Sequence, residues 1–361
     1  MSKKVLLALL TLAMVFALAA CGDANDPGTN GAENVKVGFV YIGSVTDGGY
    51  TQASDIARIQ LEEELGVETM YIENVPENAD CEKAIRDLID QGCNVIFTTS
   101  FGYMDWTHNV AKEYPDLKFA HATGYTTDTN MSAYMGRMYE PRYLSGIVAG
   151  MKTETNKIGY VAAMPIPEVV RQINAFTLGV RSVNPEATVE VKWTNSWSDA
   201  SLEKVAALEL LNKGCDVMAQ HVDTTAAQIA AQEKGVFAIG SNYDSHEAAP
   251  QAFLTAPVWN WAAYYIPQVK AVMDGTWASS NYWGHMSEGI VDLAPLSDLC
   301  AEGTQEAVDA AKAAILSGEN KIFVGPIKDN AGNEKVAADM LMTDEELLSF
   351  DWFVEGVIGS I

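Results

Sequence analysis

The sequence predicts an α/β protein of two similar lobes, each a parallel sheet with helices on both faces. Short β-rich runs alternate with longer helical stretches along almost the whole chain, which is the signature of βαβ units. The rhythm also restarts midway, giving too many strands for one short sheet. In the first half, Val35–Ile42 reads as a strand ending at Gly43, and Tyr50–Leu65 as a helix stopped by Gly66. Val67–Ile72 is a strand, Glu82–Gln91 a helix closed by Gly92, and Asn94–Thr99 a third strand. Trp106–Tyr114 is helical and ends before Pro115, and Lys118–Ala122 is a strand. The second half repeats the order with helix Tyr143–Lys152, strand Lys157–Met164, helix Glu168–Val183 and strand Thr188–Trp193. Helix Ser201–Lys213, strand Asp216–Gln220, helix Thr225–Lys234 and strand Val236–Gly240 follow.

Ligands of such sheets bind beyond the carboxyl ends of the strands. Five post-strand loops carry aromatic and polar residues together: Ser44–Tyr50, Ser100–Asp105, Pro165–Arg171, Asn195–Trp197 and His221–Thr225.

The N-terminus is an address. Lys3 and Lys4 precede an apolar run from Val5 to Ala20, shorter than the roughly 20 residues of a spanning helix and matching a secretory leader. Leu18-Ala19-Ala20-Cys21-Gly22 resembles a lipobox, in which the Cys21 thiol accepts a diacylglyceryl group. An ordinary Ala-x-Ala cleavage site with an incidental cysteine is the alternative. Residues 22–34 hold almost no apolar side chains and read as a flexible tether. The expected division is leader 1–20 and lipidated tether 21–35. A protein so anchored sits on the outer face of the cytoplasmic membrane.

The rest of the chain, about 325 residues, suits one large or two moderate domains. Formal net charge is −25, and losing Lys3 and Lys4 with the leader makes it −27. That balance excludes a nucleic-acid partner, whose phosphates need a basic surface, and it also excludes adsorption to anionic lipid. Beyond Cys21 the cysteines are Cys81, Cys93, Cys215 and Cys300, with no CxxC and no metal-ligand spacing. Cys81 and Cys93 flank one helix, roughly 18 Å apart at 1.5 Å per residue, too far for a disulfide. Free thiols are expected.

Several segments, in order, match a known family: FTTSFGYMDWT (97–107), DLKFAHATGY (116–125), PIPEVVRQINAFTLGVRSVNP (165–185), WTNSWSD (193–199), QHVDTT (220–225) and GPIKDNAG (325–332). Through them the chain resembles the basic membrane lipoprotein family of ABC-transporter binding proteins, closest to a purine-binding branch. The resemblance implies a type I periplasmic-binding-protein fold, two Rossmann-like lobes joined by a three-strand hinge with the ligand clamped between them. Lobe one is then placed at 36–138 plus 256–281, and lobe two at 139–255 plus 282–361. It also implies aromatic rings stacked on a base, with Tyr50 on one face and Trp197 opposing it, and Asp223 supplying a carboxylate for N–H groups. Tyr50 departs from the Trp expected in that branch. The lysine that nucleoside-binding members set near the ribose has no counterpart around Asn242-Tyr243-Asp244, which favours a free base; Asn242 is retained as a candidate contact.

Each candidate has a plainer reading. Tyr50 can pack at a helix start, Trp197 can anchor its loop, and Asp223 can cap the helix at Thr224 or Thr225. Asp47 is a candidate ligand residue, with capping of the helix at Tyr50 favoured. In the Phe101–Met104 turn, Tyr103 and Met104 are the expected contacts and Phe101 is expected in the core. Arg171 supports the pocket or pairs with Glu168, while Trp259 and Trp261 read as hinge packing. The five histidines read as satisfied core or surface residues.

The function expected is therefore capture of a purine base, adenine-like, or nucleoside for an ABC importer, by a monomer that needs no cofactor or metal. Closure around the ligand is the expected mechanism. A secreted nucleoside hydrolase would need a nucleophile with its base or paired carboxylates at set spacing, and no GxSxG, HExxH or GxxxxGK[ST] occurs. A lipoprotein that presents its ligand to a membrane sensor would share the same body.

Overall fold

The computed structural model describes residues 35–361. The leader, the Cys21 lipidation site and residues 22–34 lie outside them. In chain order the first set of elements is β1 (Lys36–Val40), α1 (Tyr50–Leu65), β2 (Glu68–Ile72), α2 (Asp80–Asp90), β3 (Val95–Thr98), α3 (Met104–Glu113), β4 (Lys118–Ala122) and β5 (Met131–Gly136). The second is α4 (Tyr139–Lys152), β6 (Lys157–Ala162), α5 (Pro167–Val183), β7 (Thr188–Trp193), α6 (Ala200–Asn212), β8 (Val217–His221), α7 (Ala226–Glu233), β9 (Phe237–Ile239) and β10 (Phe253–Thr255). The chain then returns through β11 (Pro257–Trp259), α8 (Ala262–Met273) and β12 (Asn281–Gly284), and crosses again at β13 (Val291–Leu293) to α9 (Thr304–Leu316). A hairpin of β14 (Ile327–Lys328) and β15 (Glu334–Val336), a short α10 (Asp344–Leu348) and β16 (Val357–Ile358) complete it.

These form two six-stranded sheets, ordered β12-β5-β4-β3-β1-β2 and β10-β9-β8-β6-β7-β16, every neighbouring pair parallel. Helices on both faces bury the central strands, so β3 and β5 are buried at every position. The chain passes between the sheets three times, after β5, after β10 and after β12; β11 and β13 pair antiparallel across the two later passages. The lobe boundary expected at 281/282 falls inside β12, whose residues through Gly284 pair with β5 in the first sheet.

Two details explain why the lobes hold their shape. Asp47 accepts from the backbone N–H groups of Gly49 (2.8 Å), Thr51 (2.9 Å) and Gln52 (3.1 Å), fixing the first turn of α1. Gly146 of α4 and Gly179 of α5 let those helices touch backbone to backbone: a Cβ would fall 2.1 Å from the Phe176 carbonyl oxygen at the first and 2.0 Å from that of Tyr143 at the second. Cys81, Cys93, Cys215 and Cys300 are free thiols.

Candidate ligand-binding site

The carboxyl ends of both sheets face one cavity, walled by Ile42, Tyr50, Ser100, Phe101, Thr123 and Trp259 on one side and Glu168, Trp197, His221, Asp223 and Asn242 on the other. The lobes are closed on it. The backbone of Gly49 lies so near the Asp223 loop that a Cβ would sit 2.3 Å from the Asp223 carbonyl oxygen, and one on Gly48 would sit 3.0 Å from Thr225 Cγ2. Glycine is required at position 49 for that approach.

Four candidates meet there. Tyr50 opens α1, and its ring is wedged edge-on against Trp261 (5.9 Å between centroids) and Trp259 (6.3 Å), which stack on each other at 4.1 Å. Trp197 stands in the loop after β7. Its carbonyl accepts from the Asp223 backbone N–H at 2.8 Å, and its ring lies 6.2 Å from that of His221. Asp223 follows β8 and is only 5% exposed. Its Oδ1 accepts from Asn242 Nδ2 (3.1 Å), whose own Oδ1 accepts from Trp259 Nε1 (3.1 Å), so hinge, amide and carboxylate form one chain. Asp223 does not cap α7: the side chain accepting from the first helical N–H is Thr224, at Ala226. Asn242 has a left-handed backbone, φ 67°, which an Asn tolerates and which turns its amide toward the carboxylate.

Three candidates lie elsewhere, Asp47 in the capping role that the sequence favoured and the other two for reasons it did not display. Asp47 spends its carboxylate on the α1 backbone. Tyr103 is fully buried, and its hydroxyl donates to the Val75 carbonyl. Met104 begins α3 and is half-buried, its Sδ accepting from the Tyr125 backbone at 3.5 Å. The turn is set by Glu77, whose Oε1 accepts from Ser100 Oγ (2.5 Å) and the Gly102 N–H (2.9 Å); it directs Phe101 into the cavity, reversing the expected roles within that turn. Ile42, Ser100, Thr123, Glu168, His221 and Trp259 are wall residues that pattern reading did not assign; their positions immediately after strands or in the returning segment are the one signal that could have found them.

The electrostatics are lopsided. Burial lifts Asp223 well above the ordinary carboxylate range, and the carboxylates of Asp47, Glu203, Glu168 and Glu77 lift it further. Burial likewise pushes Glu168 up to about 7, against the pull of Arg171 and Arg142. Arg171 does not pair with Glu168; it donates to the Leu347 carbonyl at 2.7 Å. Arg142 is fully buried and donates to the Gln220 carbonyl (2.9 Å), Gln172 Oε1 (3.1 Å) and Ser241 Oγ (3.0 Å). It thereby ties down the strand ends that carry His221 and Asn242. Among the described residues no group of His, Cys, Asp and Glu is arranged to hold a metal, and no helix is long and apolar enough to cross a membrane.

Two lobes of parallel sheet closed over a single aromatic and acidic cavity define a solute-binding protein. The chain belongs to the Bmp family, the PnrA-like substrate-binding proteins of ABC transporters, which matches residues 34–324. It takes a small-molecule ligand for such a transporter outside the cytoplasm and is not an enzyme. It is 46% identical over 327 residues to a purine-binding protein of Brucella abortus, covering 90% of this chain and 93% of that one. It is 40% identical over 335 residues to a putative glucose-binding protein of an ABC transporter in Haloferax volcanii, covering 92% and 83%. A solute-binding protein of Aeropyrum pernix shares the fold at TM-score 0.70 and 19% identity, covering 87% of this chain and 97% of that one.

Proposed function

We propose that the protein binds a purine base, adenine-like, between its lobes and delivers it to an ABC importer. The observation that carries the reading is one cavity walled by Tyr50 and Phe101 from the first lobe, Trp197 from the second, and the buried Asp223. Flat heterocycles gain on aromatic walls, about 1–3 kcal/mol per base stacked, and a carboxylate is a natural acceptor for ring or amino N–H groups. Among the described residues no lysine or arginine lines the cavity, which suits a neutral base. The name of the Brucella relative supports the same ligand class. The ligand acts by stabilising the closed form, whose contacts include the glycine-to-backbone approach at Gly49.

Titrating the purified full chain calorimetrically with adenine, hypoxanthine, guanine, adenosine, ribose and glucose tests this. A base, adenine foremost, is expected to bind most tightly. Tight glucose binding with no response to any base overturns the purine assignment in favour of the ligand class named for the Haloferax relative. Anchoring through a lipidated Cys21 is part of the proposal, as is action as a monomer. Metabolic labelling with a fatty acid should mark the protein, and Cys21→Ala should abolish the label.

A further inference from the structure

Two side chains in the cavity wall have buried polar atoms without a partner among the described residues, the Tyr50 hydroxyl on the first lobe and His221 on the second, two residues before Asp223. His221 ends β8, lines the cavity and is 5% exposed. No hydrogen bond to its imidazole forms among the described residues, and Nδ1 is buried without a partner. An unmet buried polar atom costs about 1–3 kcal/mol, so its persistence in a ligand cavity needs a reason. His121 supplies the contrast: it also holds a buried nitrogen without a partner, but its other nitrogen is bonded to Thr98 Oγ1 at 3.1 Å and it is not part of the cavity wall.

The imidazole is neutral. Burial holds it well below the ordinary histidine range, and the guanidiniums of Arg142 and Arg171 lower it further. A neutral ring offers one N–H donor and one acceptor nitrogen. Three other polar side chains of the wall are already engaged. Ser100 Oγ donates to Glu77, Thr123 Oγ1 donates to the Ala122 carbonyl at 2.7 Å, and the Asn242 amide is held at both ends. Tyr50 offers an unpartnered hydroxyl from the first lobe, and on the second lobe His221 is an unengaged side chain able to give a hydrogen bond to an acceptor on the ligand.

We infer that His221 is a ligand-contacting, specificity-determining residue that pairs with a ring nitrogen on the edge of a flat heterocycle, beside the N–H group taken by Asp223. This rests on the purine reading above. A purine edge, with donor and acceptor side by side, matches an imidazole next to a carboxylate.

The test compares wild-type protein with His221→Phe, which keeps a ring against Trp197 and removes both nitrogens. Adenine affinity should fall about tenfold or more. In a series of 1-, 3- and 7-deazaadenine, each lacking one ring nitrogen, the wild type should lose about tenfold for one member while the variant shows no added loss for it. A purely structural role would not abolish that selective penalty. Adenine binding by the variant within twofold of wild type, or the same deaza profile in both, overturns the inference. Imidazole ¹⁵N shifts of the wild-type protein give a check that needs no variant: adenine should move those of His221, and unmoved signals overturn the contact. Failure of the purine reading shows separately, as a wild type that answers to no base.

Discussion

The two halves of the cavity are built from different chemistry. The first lobe contributes surface: Ile42, Tyr50 and Phe101, with the hydroxyls of Ser100 and Thr123 donating to protein acceptors. The second contributes Trp197, the carboxyl groups of Glu168 and Asp223, the imidazole of His221 and the amide of Asn242, while among the described residues the unpartnered buried polar atom of the first lobe's wall is the Tyr50 hydroxyl. On the proposed reading the first lobe is a platform that rewards flatness, and the second is the part that distinguishes one flat ligand from another. Closure joins the two, because neither half alone surrounds a ligand.

That division can be broken at the seam. Gly49→Ala places a methyl 2.3 Å from the Asp223 carbonyl oxygen, a backbone atom that cannot swing aside. Overpacking of this kind costs about 1–3 kcal/mol or more, and here the cost falls on closure. Affinity should fall on the order of a hundredfold for every ligand alike, and small-angle scattering should show no ligand-induced compaction. Unchanged affinity would mean that the closed contact is dispensable.

Within the second lobe, Asp223→Ala removes an acceptor made for N–H groups. A hydrogen bond contributes about 0.5–1.5 kcal/mol, and about 1.5–3 where one partner is charged, so affinity should fall roughly 2- to 150-fold and the preference among bases should change. Tyr50→Ala in the first lobe should act differently. Loss of one stacking face costs about 1–3 kcal/mol for any flat base and leaves the order of preference intact. If Tyr50→Ala reorders the ligands and Asp223→Ala does not, the platform and the reading edge have been assigned the wrong way round. Trp197→Ala should lower affinity by a comparable factor if it supplies the opposing ring of the proposed site.

How much of this was legible beforehand follows from what each residue answers to. Helix Tyr50–Leu65 and strands Lys118–Ala122 and Thr188–Trp193 have the bounds read from the sequence, because punctuation by Gly and Pro and a long apolar rhythm mark them locally. β5 was not read at all. MSAYMG carries no alternation, since both faces of the strand are buried and burial there is a tertiary fact. The site divided the same way. Trp197, Asp223 and Asn242 lie in loops that follow strands, which topology alone marks as candidates. The choice between Phe101 and Tyr103 depended on Glu77, a residue from another loop that pins the turn from outside. His221 looked like any strand-end histidine until the lack of partners was visible.

The smallest expected effect concerns stability, and it tests whether the acidity of the second lobe extends behind the wall. Glu203 of α6 is fully buried; one oxygen accepts from Thr224 Oγ1 at 2.5 Å and the other has no partner. Burial raises its pKa from the ordinary 4.5 to about 7, with the Thr224 hydrogen bonds opposing and Asp199 and Asp47 adding to the rise. Between those two values the folded chain holds a proton that the unfolded chain has lost. The contribution of Glu203 to stability is therefore complete below pH 4.5 and is lost as pH climbs through 7. At about 1.4 kcal/mol per pH unit across that window, the full effect is about 3 kcal/mol at most, a few degrees in Tm. The Tm of the wild type should accordingly fall between pH 5 and pH 8, and Glu203→Gln, which carries no titrating proton, should fall less and melt higher than wild type at pH 8. Asp344 works in the opposite sense, since its hydrogen-bonded pair with Arg137 holds its pKa below the ordinary value and its stabilisation is lost only on acidification below that range. Parallel melting curves for wild type and Glu203→Gln from pH 5 to 8 would show that the buried carboxylate is already ionised, and that the negative field behind Asp223 is a permanent feature of the second lobe.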